Sequence, residues 1–365
     1  MYAWHFSKRP GAMTQTRADS TFETILDHVL PFAGSALIPD QGPLRNAAGQ
    51  LPPIPNGMFE IRLEAGNSQV DLLTGFQAGQ FPLFAKWQRQ SRSSGSTHLA
   101  QIAKALTTED SYLRQTTSGF GLEYDLITGA GTELPMPAVF CIPNKGYVSD
   151  HAKLYEYVEA LLPAVLNTIA DKVLLFNASK LLGNLGTDSV VHTLGIMLSR
   201  QRQALRLQIQ EIHPEQLRAI FEATGVAATP PRLDTLLELA QSVALPYLTC
   251  LDLAPQLQPV VGLEFNDINT RPSQVLEEVL DLLVERQLCC ERKSLAIANW
   301  IGSSAPPKLP FEWGVEPAFA NLSQCRRFFV QIKRQVSHIK IMLDGNGSIT
   351  AKIYLEFYPQ AARLE

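Results

Sequence analysis

The residues best suited to chemistry lie near the end of the sequence, in residues 337–358. Charged and aromatic side chains there alternate with aliphatic ones on both sides of an Asp-Gly-Asn-Gly turn. This alternation predicts a β-hairpin with one apolar and one polar face. The polar face carries His338, Lys340, Lys352, Tyr354 and Glu356. Such groups can bind a charged ligand or transfer protons if the face is turned into a cavity.

The alternation also determines the loop of this hairpin. Lys340 and Lys352 share a face only if the numbers of paired residues have an even sum, which excludes a two-residue turn. A three-residue loop, Gly345–Gly347 with Gly347 in the left-handed conformation, satisfies this condition.

The same pattern recurs in earlier strand pairs. In the first pair Glu60, Arg62 and Glu64 alternate with aliphatic residues, and a four-residue loop would place Arg62 opposite Asp71. The later pairs contribute further polar positions, namely Glu123, Asp125, Arg206, Gln208, Gln210, Asp252, Glu264 and Asn266. Each polar face is either open to solvent, as in any half-exposed antiparallel strand, or part of a lumen wall.

The strand pairs are five in number, and about two helical segments separate one pair from the next. This order indicates a structural repeat of roughly 60 to 70 residues. We predict an α+β fold of repeated ααββ units, in which about ten antiparallel strands close a polar-lined barrel with amphipathic helices outside. Two stacked α+β domains with open sheets are the alternative.

Local signals predict the boundaries of several elements. We predict a flexible leader over residues 1–20, one barrel domain over 21–358 and a C-terminal tail over 359–365. A first helix should end near Pro31, and an irregular segment should follow it as far as Pro55. The helical segment after residue 150 should divide or kink near Pro163, and residues 178–185 should form a turn region.

Composition narrows the classes of function. The chain has 365 residues and a net charge of −4 without basic runs, so nucleic acid is not an expected partner. No apolar run approaches the roughly 18 to 20 residues of a spanning helix. We expect a cytoplasmic monomer with no membrane insertion. The five cysteines are scattered without ligand spacing, so we predict reduced cysteines and no metal site.

Five helix-flanked hairpins around a solvent-filled centre resemble the αββα-barrel aromatic prenyltransferases, also called ABBA prenyltransferases. The likeness spans residues 21–358 by element order. The closing Lys-x-Tyr of Lys352 and Tyr354 is similar to the Lys/Arg-x-Tyr strand pattern of that family, with Lys340 opposite it. Glu60 or Glu64 falls where the carboxylate of the family would lie.

The resemblance implies a role for each group. The diphosphate of a prenyl co-substrate would be neutralised by the cations, and Tyr354 would shield the carbocation with its π face. The diphosphate-binding residues would be Arg62, Arg206, Lys340, Lys352 and Tyr354. Glu60 or Glu64 would accept the N–H or O–H proton of the acceptor. No DDxxD motif is present, so the reaction would be metal-independent and need no cofactor beyond the prenyl diphosphate.

The first functional hypothesis is therefore a prenyltransferase of specialised metabolism that acts on an aromatic or peptide-derived acceptor. The second is a non-catalytic barrel that binds a small molecule or peptide, with the acidic lining favouring a cationic ligand. A different reaction in the same barrel is a third possibility, because a fold does not determine a function.

Overall fold

The architecture was analysed in a computed structural model. It describes the residues 22–52, 56–90, 96–126, 133–168, 171–199, 204–210, 212–224, 230, 232–254, 256–305 and 328–363. The predicted leader, residues 1–20, lies outside the described residues.

The strands form one closed antiparallel barrel. They are β1 (Gly57–Arg62), β2 (Val70–Gln77), β3 (Thr117–Tyr124), β4 (Ala138–Pro143), β5 (Val190–Ile196), β6 (Leu205–Gln210), β7 (Leu248–Ala254), β8 (Gln256–Phe265), β9 (Gly302–Ser304), β10 (Phe328–Leu343) and β11 (Ile349–Arg363). Strands β1 to β8 pair in sequence order, β8 pairs with β10, and β11 pairs with both β10 and β1. The short strand β9 pairs with one end of β10 and is not needed to close the barrel. The predicted ten-stranded barrel is confirmed, and the alternative of two open sheets is wrong.

The helices surround the barrel. They are α1 (Phe22–Leu37), α2 (Gly42–Ala48), α3 (Phe81–Gln90), α4 (Ser96–Thr107), α5 (Tyr112–Thr116), α6 (His151–Leu166), α7 (Lys172–Gly183), α8 (Pro214–Ala223), α9 (Leu233–Val243), α10 (Ser273–Glu285) and α11 (Glu291–Trp300). Their apolar faces share one core with outward-facing strand residues such as Phe59 and Ile353. Because successive strand residues alternate between faces, Glu60 and Lys352 point inward.

The closing hairpin matches the sequence prediction. Leu343 pairs with Ile349, so the loop is Gly345–Gly347, and Gly347 has a φ of +82°. The Asp344 carboxylate accepts hydrogen bonds from the N–H groups of Asn346 and Ser348, at 2.9 and 2.8 Å. Both strands are longer than predicted, and residues 359–363, predicted as a tail, continue β11.

The register of the first hairpin differs from the prediction. Glu60, not Arg62, lies opposite Asp71, and the last pair is Ile61 with Val70. The four-residue loop that we assumed is too short, because β1 ends at Arg62 and β2 begins only at Val70. The buried ammonium of Lys293 in α11 holds this connection by donating to carbonyl oxygens of residues 62, 64 and 67, at 2.6, 3.1 and 2.6 Å.

Three helix boundaries also differ from the predictions. Helix α1 continues through Pro31 to Leu37, with a local break at Gly34, where φ is +61°. The segment predicted to be irregular contains α2, which has a proline in its first turn. Proline fits there because the first helical N–H groups have no partner within the helix.

Further along, Pro163 lies in the last turn of α6, and the chain divides into two helices just after it, between Leu166 and Lys172. The residue that caps α6 is Asn167, which is left-handed with a φ of +53°. Residues 178–183, predicted as a turn region, belong to α7.

Close packing where β1 begins gives a first prediction. A Cβ added at Gly57 would lie 2.8 Å from Cζ of Phe357 and 2.9 Å from Cζ of Phe22. We expect Gly57→Ala to lower the free energy of unfolding by about 1–3 kcal/mol, because overpacking displaces buried rings. Urea denaturation measures this. The matched control is Gly146→Ala, where no atom lies within 4 Å, and equal stability of the two variants would contradict the close approach.

Candidate active site

The barrel encloses a cavity of ≈ 680 Å³ toward the end at which β4 ends and β5 begins. Ten of the predicted polar positions line it, namely Glu123, Arg206, Gln208, Gln210, Glu264, Asn266, His338, Lys340, Tyr354 and Glu356. The other predicted positions do not line it: Glu60, Arg62, Glu64, Asp71, Asp125, Asp252 and Lys352. The polar strand faces therefore converge inside the barrel, but only part of them faces the cavity.

Glu60 lies behind the cavity wall formed by Tyr354. Its side chain is 2% exposed. One carboxylate oxygen accepts a hydrogen bond from the Lys352 ammonium and the other accepts one from the Tyr354 hydroxyl. Burial alone would raise the pKa of Glu60, but Lys352 and Arg62 hold it well below its ordinary value. Glu60 is therefore ionised near neutral pH and positions Tyr354.

Arg62 bridges the buried carboxylates of Asp71 and Glu60. Its Nη1 lies 2.6 Å from Oδ2 of Asp71, and its Nη2 lies 3.6 Å from Oε1 of Glu60. Burial and the negative charge of Glu60 raise the pKa of Asp71 to about 6, although Arg62 opposes this shift. The positive charge of Arg62 is therefore balanced by these two carboxylates.

Arg206 on β6 and Asp252 on β7 lie opposite each other in the strand register. Nε and Nη2 of the guanidinium donate to the two carboxylate oxygens, at 2.7 and 2.9 Å. Both side chains are buried. This two-point geometry holds the guanidinium rigidly and leaves its Nη1 without a hydrogen bond to the described residues.

Lys340 on β10 lies opposite Glu264 on β8. The ammonium donates to Oε1 of Glu264 at 2.7 Å, and Gln208 donates to Oε2 at 2.9 Å. The Cys250 thiol donates to Oε1 as well, at 3.1 Å. Burial would raise the pKa of Glu264, but neighbouring groups, of which Lys340 has the largest effect, lower it to about 2.

His338 and Tyr354 are stacked, with ring centroids 3.8 Å apart and an angle of 19° between their planes. Burial lowers the pKa of His338 to about 4, although Glu264 opposes this shift. The imidazole is therefore neutral near pH 7. The pair presents a flat, uncharged aromatic surface to the cavity.

The remaining predicted carboxylates occupy different places. Glu64 follows the end of β1, and its Oε1 accepts the Ala351 N–H at 3.3 Å. Asp125 accepts a hydrogen bond from the Ser199 hydroxyl at 2.7 Å. Glu356 lines the cavity and accepts one from Gln335 at 2.8 Å. Of the two predicted catalytic carboxylates, neither faces the cavity.

Sequence reasoning missed the apolar part of the lining. It includes Met58, Leu73, Phe140, Ile142, Val148 and Leu248. The signal was present for Met58 and Leu73, since each is two residues from a predicted inward-facing carboxylate on its own strand. The cavity therefore combines a charged side with an apolar side.

The positive charges of this lumen are balanced by buried carboxylates. Each predicted diphosphate-binding cation is paired with a buried carboxylate: Arg62 with Asp71, Arg206 with Asp252, Lys340 with Glu264, and Lys352 with Glu60. Pairing holds the donor groups in place and cancels most of their charge. Within the described ranges no group of three or more His, Cys, Asp or Glu residues could hold a metal ion.

No described helix is long and apolar enough to cross a membrane. The described cysteines Cys141, Cys250, Cys289 and Cys290 form no disulfide with one another.

Comparison with known proteins gives different results for sequence and structure. No protein-family model and no curated protein matches the sequence. Prenyltransferase PriB superposes on the barrel with a TM-score of 0.56 and 11% sequence identity, over 92% of this chain and 96% of that chain. The chain has the fold of this prenyltransferase.

Two further solved structures agree. The 5-dimethylallyltryptophan synthase from Streptomyces coelicolor has a TM-score of 0.56 and 11% identity, over 93% of this chain and 98% of that chain. A ternary complex of PriB with L-tryptophan and dimethylallyl thiolodiphosphate has a TM-score of 0.54 and 11% identity, over 93% and 96% of the two chains. The predicted resemblance to the αββα-barrel prenyltransferases is thus confirmed for the fold.

Proposed function

We propose that this protein transfers a prenyl group from a prenyl diphosphate to an aromatic acceptor, either a free aromatic compound or an aromatic residue of a peptide. The observation that carries the proposal is the two-sided lumen. Arg206, Lys340 and Tyr354 line one part of the ≈ 680 Å³ cavity, and Met58 and Phe140 line the apolar part. This arrangement suits a ligand pair with one anionic group and several apolar ones.

The diphosphate would lie against Arg206 and Lys340. Arg206 retains its Nη1 donor, because only Nε and Nη2 bond to Asp252. Lys340 uses one ammonium hydrogen for Glu264 and has three donors in total. Fixed donors of this kind stabilise charge that develops on a leaving group without reorganising. Arg62 and Lys352 would act indirectly, through Glu60.

The prenyl carbocation would lie over the stacked rings of His338 and Tyr354. A cation is attracted to the face of an aromatic ring. The neutral imidazole adds no repulsion there, since the pKa of His338 lies near 4. The apolar side of the cavity would hold the acceptor ring and exclude water, which otherwise captures the carbocation.

That Glu60 accepts the acceptor proton stays a prediction. Both of its oxygens already accept hydrogen bonds, from Lys352 and Tyr354. A direct role would require Tyr354 to move aside, so in the observed arrangement Glu60 acts as a positioning residue.

A second candidate function is non-catalytic binding of a neutral or cationic aromatic compound. The ion pairs in the lumen favour this function. The positive charges of Arg62, Arg206, Lys340 and Lys352 are balanced by the carboxylates of Asp71, Asp252, Glu264 and Glu60. Such a lumen repels a cationic ligand less than a strongly basic one would.

One experiment separates the two functions. The protein is incubated with dimethylallyl, geranyl or farnesyl diphosphate and with tryptophan or a tryptophan-containing peptide, with and without EDTA. Prenyltransfer predicts release of diphosphate and an acceptor heavier by one prenyl group, in equal amounts with EDTA. The binding function is supported instead if the acceptor raises the melting temperature, no prenyl diphosphate does so, and no prenylated product forms.

The role of Lys340 gives a specific prediction. In the double variant Lys340→Met with Glu264→Gln, no unpaired charge remains buried, so the fold should be retained. We expect KM for the prenyl diphosphate to rise at least about tenfold, because a charge-assisted hydrogen bond contributes roughly 1.5–3 kcal/mol. Lys333→Met on the same strand is the control, since Lys333 lies outside the cavity lining. An unchanged KM in the double variant would remove Lys340 from the diphosphate site.

A further inference from the structure

Glu123 differs from the other carboxylates of the lumen. It lies on β3, is 5% exposed and lines the cavity. Within the part of the chain that the structure describes, its carboxyl group has neither an ion pair nor a hydrogen bond. Its neighbours across the strands are Leu73 and Ala138, which offer no polar partner. A buried carboxyl that faces a cavity without a partner is available to a ligand.

The other lining carboxylates are occupied. Glu264 accepts hydrogen bonds from Lys340, Gln208 and Cys250. Glu356 accepts one from Gln335. Protonation of either carboxylate would weaken these hydrogen bonds, which favour its charged form.

Several charged groups surround Glu123 at longer range. Glu60 on β1 and Asp125 on β3 repel its charged form, whereas Arg206 on β6 and Lys352 on β11 attract it. An ionised Glu123 would also raise the pKa of Tyr354, whose hydroxyl already donates to Glu60. Burial is the largest effect, and together with Glu60 it raises the pKa of Glu123 to about 8. Glu123 therefore holds its proton at neutral pH while Glu60 stays ionised.

We propose that Glu123 is the acid–base catalyst of the transfer reaction, an inference that rests on the proposed function. Its carboxylic acid protonates the leaving diphosphate, and the resulting carboxylate accepts the proton that the acceptor ring releases. Two carboxylates with opposite environments commonly divide such work, one remaining charged and the other exchanging a proton. Here Glu60 is the charged member and Glu123 the exchanging member.

The bonds and protons balance in this scheme. The allylic C–O bond breaks, and its electron pair stays on the diphosphate oxygen, which takes the proton of Glu123. The acceptor ring forms a C–C bond to the prenyl carbocation with a pair of its π electrons. The C–H bond at the attacked carbon then breaks, its electrons restore the aromatic ring, and its proton returns to Glu123. No other reactant is needed.

The proposal is tested by the pH profile of turnover and by an isotope effect. We expect the wild-type kcat to fall at alkaline pH as Glu123 loses its proton. Glu123→Gln should lower kcat about 10²-fold and abolish this alkaline fall. It should also show a primary kinetic isotope effect with ring-deuterated acceptor, because the ring then loses its proton without a base. Glu123→Asp should keep the alkaline fall at an intermediate rate.

Glu60→Gln and the exposed Glu109→Gln are the comparison variants. Both should keep the alkaline fall, whatever their rates. If wild type forms product and Glu123→Gln keeps the same profile, or a rate within about threefold of wild type, Glu123 is not the catalyst and the proposed function stands. If wild type forms no prenylated product with any donor and acceptor pair, the proposed function fails and this assignment fails with it.

Discussion

Replacing Asp252 with alanine is expected to lower the free energy of unfolding by about 3–5 kcal/mol. The change leaves the Arg206 guanidinium buried without its partner, and Arg206 is 4% exposed. Denaturant unfolding followed by circular dichroism measures the loss. Arg206→Met should also lower the free energy of unfolding, because it removes the cation that pairs with the buried Asp252.

Two controls define the cause. The double variant Arg206→Met with Asp252→Leu should recover most of the stability, since both charges are removed and the volume is filled. Asp234→Ala breaks an exposed pair with Arg218 and should change stability little, because solvent screens surface pairs. A stable Asp252→Ala variant would mean that water reaches Arg206 and that the lumen is not desolvated there.

The double variant also separates folding from ligand binding. If Arg206 binds the diphosphate through Nη1, which makes no hydrogen bond to the described residues, the stable double variant should bind prenyl diphosphate more weakly than wild type. Unchanged affinity would give Arg206 a structural role alone.

Replacing Glu123 with glutamine is expected to stabilise the protein, and increasingly so as pH rises. The pKa of Glu123 is raised from an ordinary value of 4.5 to about 8. Between these values the folded protein keeps a proton that the unfolded chain has released. Stability is therefore lost at about 1.4 kcal/mol per pH unit through this window. Glutamine does not ionise, so its variant escapes the loss.

The measurement is the difference in unfolding free energy between variant and wild type from pH 5 to pH 8. We expect this difference to grow by roughly 2–4 kcal/mol in favour of Glu123→Gln. Glu109→Gln, at an exposed site, is the control and should show no such growth. A constant difference for Glu123→Gln would mean that water in the cavity solvates the carboxylate.

These two predictions describe opposite uses of buried charge. The Arg206–Asp252 pair contributes rigidity, and each partner depends on the other. Glu123 lowers stability at neutral pH and is still exposed to the cavity, as expected of a group kept for function at the expense of stability. The two predictions together assign a structural role to Asp252 and a reactive role to Glu123.

The sequence pattern of period two predicted the two faces of the closing hairpin correctly. Lys340 and Lys352 lie opposite each other, and the three-residue loop with Gly347 in the left-handed conformation is as predicted. Alternation is a local property of an extended chain, so it can be read without knowing the partner strand. The count of strand pairs was then enough to predict a closed barrel.

Predictions that depended on loop length or on helix breakers were less successful. Glu60 and not Arg62 lies opposite Asp71, because the β1–β2 connection is longer than the turn signal suggested. Helix α1 continues through Pro31, where buried residues such as Leu30 hold the helix against the barrel. Packing of that kind overrides the local preference of one residue.

The sequence by itself determined the fold class, the inward face of the closing hairpin and a set of charged residues that could meet inside the barrel. Only the tertiary structure decided which of them meet. The pairing of β8 with β10 and of β11 with β1 brings Lys340 to Glu264 and Lys352 to Glu60, and it leaves Glu123 without a partner among the described residues. Barrel closure sets these contacts because they join residues far apart in the chain, whereas alternation along one strand carries no information about the strand beside it.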